Sequence, residues 1–281
     1  MDLLTHLHQA LINLLNAKLR SVLAILGILV GTGSVVALIM AGNLATTHAL
    51  AQFKTLGTNL LNVNIQSSGS QDGGRTFSLD DLPALYQTAP DQITLIAPYV
   101  SIGKSIYESG VESSATVIAA TQSFADIIKL KMARGRMINR VDHQQMVCDI
   151  GSKLAEKIRD QGTNPMGKEI LVGKMMYQIV GVLKSWKPNF FLYADIDDGV
   201  LVPIETAKML SSSANIDHVM FRLIKNPNID LVKTRLKRKF FQMLPNMKVY
   251  IRDPGQIINI VHKQQITFSL LLAAIASISL L

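Results

Sequence analysis

Residues 22–42, VLAILGILVGTGSVVALIMAG, run for 21 positions without a charge. At about 1.5 Å per helical residue they cover roughly 30 Å, the thickness of a bilayer's hydrocarbon core. A soluble core helix of this length needs a polar face, and none interrupts the run. Lys18 and Arg20 stand just before it, and the next basic residue is Lys54. Short flanking charge therefore sets the N-terminus in the cytoplasm and residue 43 onward outside. A secretory signal is the rival reading. The run is longer than a signal's apolar core, and Ile39 stands where cleavage after Ala41 needs a small residue, so it reads as an uncleaved helix.

The leader, residues 1–21, places Leu3, Leu4, Leu7, Leu11, Leu14 and Leu15 at helical spacing among His6, Gln9, Asn13 and Asn16. This fits an amphipathic helix in the cytoplasmic membrane interface, or a plain extension of the span. Inside the span, Gly27, Gly31 and Gly33, followed by Ser34, are candidates for close packing against another helix. No Gly-Lys-Ser/Thr follows them, so they form no phosphate-binding loop.

Residues 43–265 alternate between strand and helix patterns, as an α+β domain does. Strands are expected at Asn59–Gln66, Ile93–Val100, Ser101–Tyr107, Val111–Ala120, Val147–Ile150, Val200–Pro203, His218–Leu223 and Lys248–Ile251. Glu169–Val172 and Met176–Leu183 form an expected hairpin through Gly173. Helices are expected from Ser78, with Asp81 at the capping-box position, and at Gln122–Lys129, Gly151–Arg159, Ile204–Ser211 and Ile229–Met243. SSGSQDGGR, residues 67–75, reads as a loop. A last helix starts near Asp253-Pro254 and runs into ITFSLLLAAIASISLL, residues 266–281. Sixteen helical residues reach only about 24 Å. The segment is therefore expected to be a truncated second membrane helix, and the coding sequence is expected to continue beyond it.

Composition sharpens this picture. The chain is 48% hydrophobic with a net charge of +8. Residues 1–42 hold only Asp2, Lys18 and Arg20, and 266–281 hold no charge, so nearly all of the excess lies in the middle. Lys233, Arg235, Lys237, Arg238 and Lys239 cluster on one expected helix. They read as a solvated face, or as a surface for an acidic partner or lipid headgroups; no nucleic-acid motif accompanies them. A single cysteine, Cys148, excludes an internal disulfide.

Catalytic patterns are missing. Asp195, Asp197 and Asp198 lack the closing glutamate of a calcium loop, since Thr206 holds that position, and they read as a solvated loop. The histidines form no zinc spacing, and no Gly-x-Ser-x-Gly elbow occurs. Trp186, Phe190, Phe191 and Tyr193 read as a cover for a core edge, or as a tip facing a membrane or partner.

An ordered series of short motifs carries a resemblance. It comprises Lys18-Leu-Arg-Ser21, Leu26-Gly-Ile-Leu-Val-Gly31, Leu56-Gly-Thr-Asn59, Met132-Ala-Arg-Gly-Arg136 with Asp142, Ile150-Gly-Ser-Lys-Leu-Ala155, Asn164-Pro-Met-Gly-Lys168, Tyr177-Gln-Ile-Val-Gly-Val182 and Val202-Pro203. The series resembles the N-terminal half of MacB-type ABC transporter permeases, a group that includes FtsX-like and LolC-like proteins. The resemblance implies an α+β periplasmic domain flanked by transmembrane helices, built as a porter region with an inserted mixed subdomain at about 100–213. It implies a non-enzymatic subunit of the bacterial inner membrane, with its main domain in the periplasm. No cofactor is expected in this chain, because ATP is bound by a partner ABC ATPase whose hydrolysis drives movement of substrate in or from the periplasm. Further implied partners are a second copy or a related permease, a periplasmic adaptor and an outer-membrane channel. The alternatives are a non-transporting, membrane-anchored periplasmic binding or regulatory module, or a lipoprotein-releasing permease. No Walker sequence is present, so an ATPase has to be a separate chain.

Overall fold

The apolar run forms the middle of one long helix. A computed structural model of the chain describes residues 18–56, 59–67, 75–108, 111–186, 192 and 194–253, together with 263–264, 266–268, 270–271 and 274. Helix α1, Lys18–Leu56, is continuous over 39 residues, or about 58 Å. It carries the leader's last residues and the span in one element, and it continues past the expected boundary at residue 42. Within it, Ile25–Gly42 is long and apolar enough to cross a membrane, the one such helix among the described residues. Thr32 and Ser34 donate their hydroxyls back to the carbonyls of Ile28 (2.7 Å) and Gly31 (2.9 Å), which satisfies them without solvent. Most of the leader, of loop 67–75, of the expected second span and of the aromatic tip (Phe190, Phe191 and Tyr193) lies outside the described residues.

The chain divides into two units, one of residues 1–52 with 255–281 and one of residues 53–254. In the second unit ten strands form one sheet. In chain order these are β1 Leu60–Ser67, β2 Ile93–Glu108, β3 Val111–Ala120, β4 Met132–Gly135, β5 Val147–Ile150, β6 Glu169–Val172, β7 Met175–Leu183, β8 Gly199–Pro203, β9 His218–Leu223 and β10 Met247–Arg252. The spatial order is β10-β1-β9-β2-β3-β8-β5-β7-β4, and β6 bridges β2 and β7. Pairs β3–β8 and β5–β7 are parallel. The helices are α2 Leu82–Tyr86, α3 Gln122–Ile128, α4 Ser152–Asp160, α5 Ala207–Leu210 and α6 Ile229–Met243.

Among the described residues, two large buried clusters lie along this sheet. One joins Leu61, Val63, Phe77, Leu85, Ile96, Val219 and Phe221 to the inward face of α6, Val232, Leu236 and Phe240. That face follows directly from helical spacing, one apolar residue per turn. The other gathers Val100, Val117, Ile150, Leu154, Ile158, Tyr177, Val182 and Val200. Strand β2 feeds both.

Most expected elements form, and several differ. The two strands expected over Ile93–Tyr107 are one 16-residue strand. Its first half pairs with β9 as far as Tyr99↔His218, and its second half pairs with β3 from Tyr99↔Ala120. The change of partner looks like a break in sequence but leaves the backbone extended. Helix α2 ends at Tyr86 and is preceded by a 3-10 turn, Leu79–Asp81, whose Asp81 carboxylate accepts the Ser78 N–H at 3.0 Å. The Ile204–Ser211 helix is a three-residue 3-10 turn, Ile204–Thr206, followed by the four residues of α5. Strand β4 was not expected, because three of its four residues are exposed and polar or small.

Candidate functional site

Helix α1 sorts the small residues of the span. At about 100° per residue, Gly27, Gly31 and Ser34 fall within some 60° of one another, whereas Gly33 lies roughly 120° from Gly27. Among the described residues, a Cβ added at any of the three glycines meets no atom within 4 Å beyond the helix's own backbone. The described residues thus leave the Gly27/Gly31 face uncovered, and Gly33 belongs to another face. Lys18 is exposed at the first residue of α1, and Arg20 sits in its first turn.

The motifs of the outer unit meet at one junction. Gly181 of β7 pairs on one side with Gly135 of β4 and on the other with Asp149 of β5, where a bulge shifts the register. Gly135 adopts φ +73°, a conformation that favours glycine, and carries the chain into Arg136. The Arg136 guanidinium then grips Asp142 with two bonds of 2.6 and 2.7 Å, and Asp142 also caps Asn139 N–H at 3.0 Å. This hydrogen bond from Arg136, before anything else, holds the Asp142 carboxyl below the usual carboxylate range. Gly167, at φ +75°, donates its N–H to the Ile179 carbonyl (2.9 Å), which docks the Pro-Met-Gly-Lys turn onto β7.

Asn59 has a similar role at the other end of the sheet. It donates its amide to the Leu223 carbonyl at 2.5 Å and accepts the Leu223 N–H on its own carbonyl at 2.8 Å, locking the start of β1 to the end of β9. These short motifs are therefore joints of the scaffold, and none supplies a nucleophile or an acid–base pair.

Several polar groups that no motif flagged are buried, among them Asp149, His218, Tyr99 and Asn62. Asp149, wholly enclosed, accepts Ile138 N–H at 2.9 Å, and its other oxygen has no hydrogen-bond partner. Burial pushes its carboxyl up to about 7, against the opposing pull of that hydrogen bond and the Arg136 charge. His218 stacks on Tyr99 with ring centroids 4.9 Å apart, and Asn62 donates to the Tyr99 hydroxyl at 3.2 Å. Burial lowers His218 to about 4 and raises Tyr99. Each sits within an apolar strand, and a polar residue inside such a run is the one sequence signal of a buried group.

Of the aspartates expected in a solvated loop, Asp195 is exposed and Asp198 partly so, but Asp197 is not. Asp197 is buried, accepting Ser185 Oγ (2.9 Å) and Trp186 N–H (2.7 Å), while Asp195 caps Asp197 N–H (3.0 Å) and Asp198 pairs with Lys157 (2.7 Å). Only Asp195 bonds the loop's own backbone; Asp197 is held from the segment after β7 and Asp198 from α4. Trp186 packs as a core-edge cover, its indole N–H donating to the Ile128 carbonyl at 3.2 Å. No metal-holding group of His, Cys, Asp or Glu occurs among the described residues.

A cleft of about 700 Å³ opens between α2, the first part of β2 and the ends of β3 and β8. Leu79, Leu82 and Leu95 form an apolar wall, and Asp126, Arg140 and Glu205 a polar one. The opposed charges of the polar wall define no single ligand chemistry.

Comparison with known proteins places this architecture. Residues 21–239 match the family model of the MacB-like periplasmic core domain, a region that is not catalytic. The chain is 26% identical over 269 residues to a pyoverdine export ATP-binding/permease protein, PvdT, of Pseudomonas entomophila, covering 94% of this chain and 40% of that protein. It is 25% identical over 280 residues to a macrolide export ATP-binding/permease protein, MacB, of Acinetobacter baylyi, covering 97% and 42%. The fold matches the periplasmic region of MacB from Actinobacillus actinomycetemcomitans with a TM-score of 0.60 at 16% identity, covering 75% of this chain and 95% of that one. The extracellular domain of the transporter YknZ from Gram-positive bacteria matches with a TM-score of 0.52 at 17% identity, covering 67% and 99%. The chain spans about 40% of the length of the curated relatives it matches. With the family model matched over most of its length, the chain belongs to the MacB-like periplasmic core domain family.

Proposed function

We propose that the chain is a permease part of a MacB-like ABC transporter, anchored in the inner membrane by α1 with residues 53–254 on the periplasmic side. A separate ATPase closes on ATP in the cytoplasm, and the permease transmits that movement to the outer domain, which moves substrate in or from the periplasm. The family match over residues 21–239, which joins the apolar helix to the outer fold, is the observation that carries this reading. The continuity of α1 over about 58 Å supports a lever longer than the roughly 30 Å bilayer core. The two buried clusters support a porter region with a subdomain inserted at about 100–213.

The test is purification of the tagged chain from its own membranes. A cassette ATPase recovered with it is the expected result. Repeated absence of any such ATPase favours the non-transporting, membrane-anchored module instead.

The open Gly27/Gly31 face supports a second helix, from another copy or a related permease, packed against α1. Gly27→Ile and Gly31→Ile are expected to lower membrane cross-linking between copies by about fivefold, with Gly33→Ile close to the parent, because bulk on the contact face separates the backbones. Equal loss at all three positions would contradict a face-specific contact.

A further inference from the structure

Helix α6 carries more positive charge than the fold uses. Its cations are Lys233, Arg235, Lys237, Arg238 and Lys239, against the single carboxylate Asp230. Lys233 shows what a structural cation receives here, namely the buried carboxylate of Asp253 at 2.7 Å. Arg136 and Lys157 are likewise paired, with Asp142 and Asp198. Among the described residues, Arg235, Lys237, Arg238 and Lys239 have no such ion pair.

Arg235, Arg238 and Lys239 occupy positions i, i+3 and i+4, so they are neighbours on one side of α6. Like charges at that spacing repel, and no ion pair among the described residues offsets the repulsion. The three cations do not project into open solvent alone. They line a groove of about 310 Å³ whose other wall is the end of α2, and the amides of Gln87 and Gln242 complete the lining. Two guanidinium forks, an ammonium and two amides are all donors, in a space larger than one small ion. A doubly charged tetrahedral anion matches such a set better than a single carboxylate, because each fork can take two oxygens.

We propose that the groove between α2 and α6, lined by Gln87, Arg235, Arg238, Lys239 and Gln242, binds a phosphate-bearing ligand. The phosphate belongs either to a soluble compound or to a lipid headgroup.

Calorimetric titration of the full chain in neutral detergent with pyrophosphate at low salt tests this. Saturable binding is expected, weakened about tenfold or more in R235Q/R238Q and also by salt of roughly 0.3 M. K237Q removes the same charge from the far flank of α6 and is expected to stay within about twofold of the parent. Should the double variant fail to fold, R238Q alone carries the test at an exposed position. A short-chain phosphatidic acid binding about tenfold tighter than pyrophosphate assigns the groove to lipid headgroups; equal or weaker lipid binding assigns it to a soluble phosphate. Absence of binding, an equal loss in K237Q, or equally tight binding of a triglutamate peptide overturns the proposal.

Discussion

Gly181→Ala is expected to cost the outer domain about 3–5 kcal/mol, a large share of a typical stability of about 5–15 kcal/mol. The added methyl would sit 2.5 Å from the Arg136 carbonyl oxygen and inside contact distance of Asp149 Oδ1 and Met132 Cε. Met132 is flexible and can move aside. The Arg136 carbonyl is backbone, and Asp149 is fixed by its bond to Ile138 N–H, so neither can retreat without opening the β4–β7–β5 junction. Gly103→Ala is the matched control: it also lies within a strand, but an added methyl there meets nothing within 4 Å, and a change of about 0.5 kcal/mol or less is expected. Denaturant unfolding followed by the single tryptophan, Trp186, measures both. Equal stability of the two variants would show that the junction is loose.

Asp149→Asn is expected to change how stability varies with pH. The folded-state carboxyl is raised from an ordinary 3.8 to about 7, chiefly by burial. The folded protein therefore keeps a proton that the unfolded chain releases, and stability falls as pH rises from about 4 to 7. The penalty is complete above 7 and absent below 4. Asparagine cannot ionise, so the variant should gain on the parent through this window, by an amount on the order of 4 kcal/mol when complete. Other groups tilt the raw profile both ways. Asp217, raised to about 6 by burial, acts in the same sense, whereas His218, lowered to about 4, and Asp142, held low by Arg136, lose stability on acidification. The difference between variant and parent isolates Asp149. Parallel stability curves from pH 4 to 8 would mean that its carboxyl is not raised.

These two residues mark where the sequence was readable. Strands with clear alternation, such as His218–Leu223, and the amphipathic α6 were legible because one face of each is buried. The motif order was legible too, since each motif is a local turn or joint with its own glycine or capping residue. Their meeting point was not. Gly135, Asp149 and Gly181 are separated by long stretches of chain and share a site only through strand pairing, which no single segment encodes. Strand β2 was divided in two for a related reason: its change of partner at Tyr99 is a property of β9 and β3, not of its own residues. Asp197 was assigned to solvent because its type is polar, although its surroundings use it as an internal acceptor. Helix periodicity alone puts Gly27 and Gly31 on one face of α1 and Gly33 on another.

The central claim is that α1 anchors a MacB-like domain on the side of the membrane opposite its N-terminus. Cys148 is fully buried with a thiol pushed well above its ordinary range, so it leaves the chain silent to thiol reagents. Cysteines can then be introduced singly, one in place of Met209, which is 57% exposed on α5, and one in place of Asp2. A membrane-impermeant maleimide applied to intact spheroplasts should label Met209→Cys at once and Asp2→Cys only after the membrane is opened. Labelling of Asp2→Cys in intact spheroplasts, with Met209→Cys protected until lysis, would contradict the account.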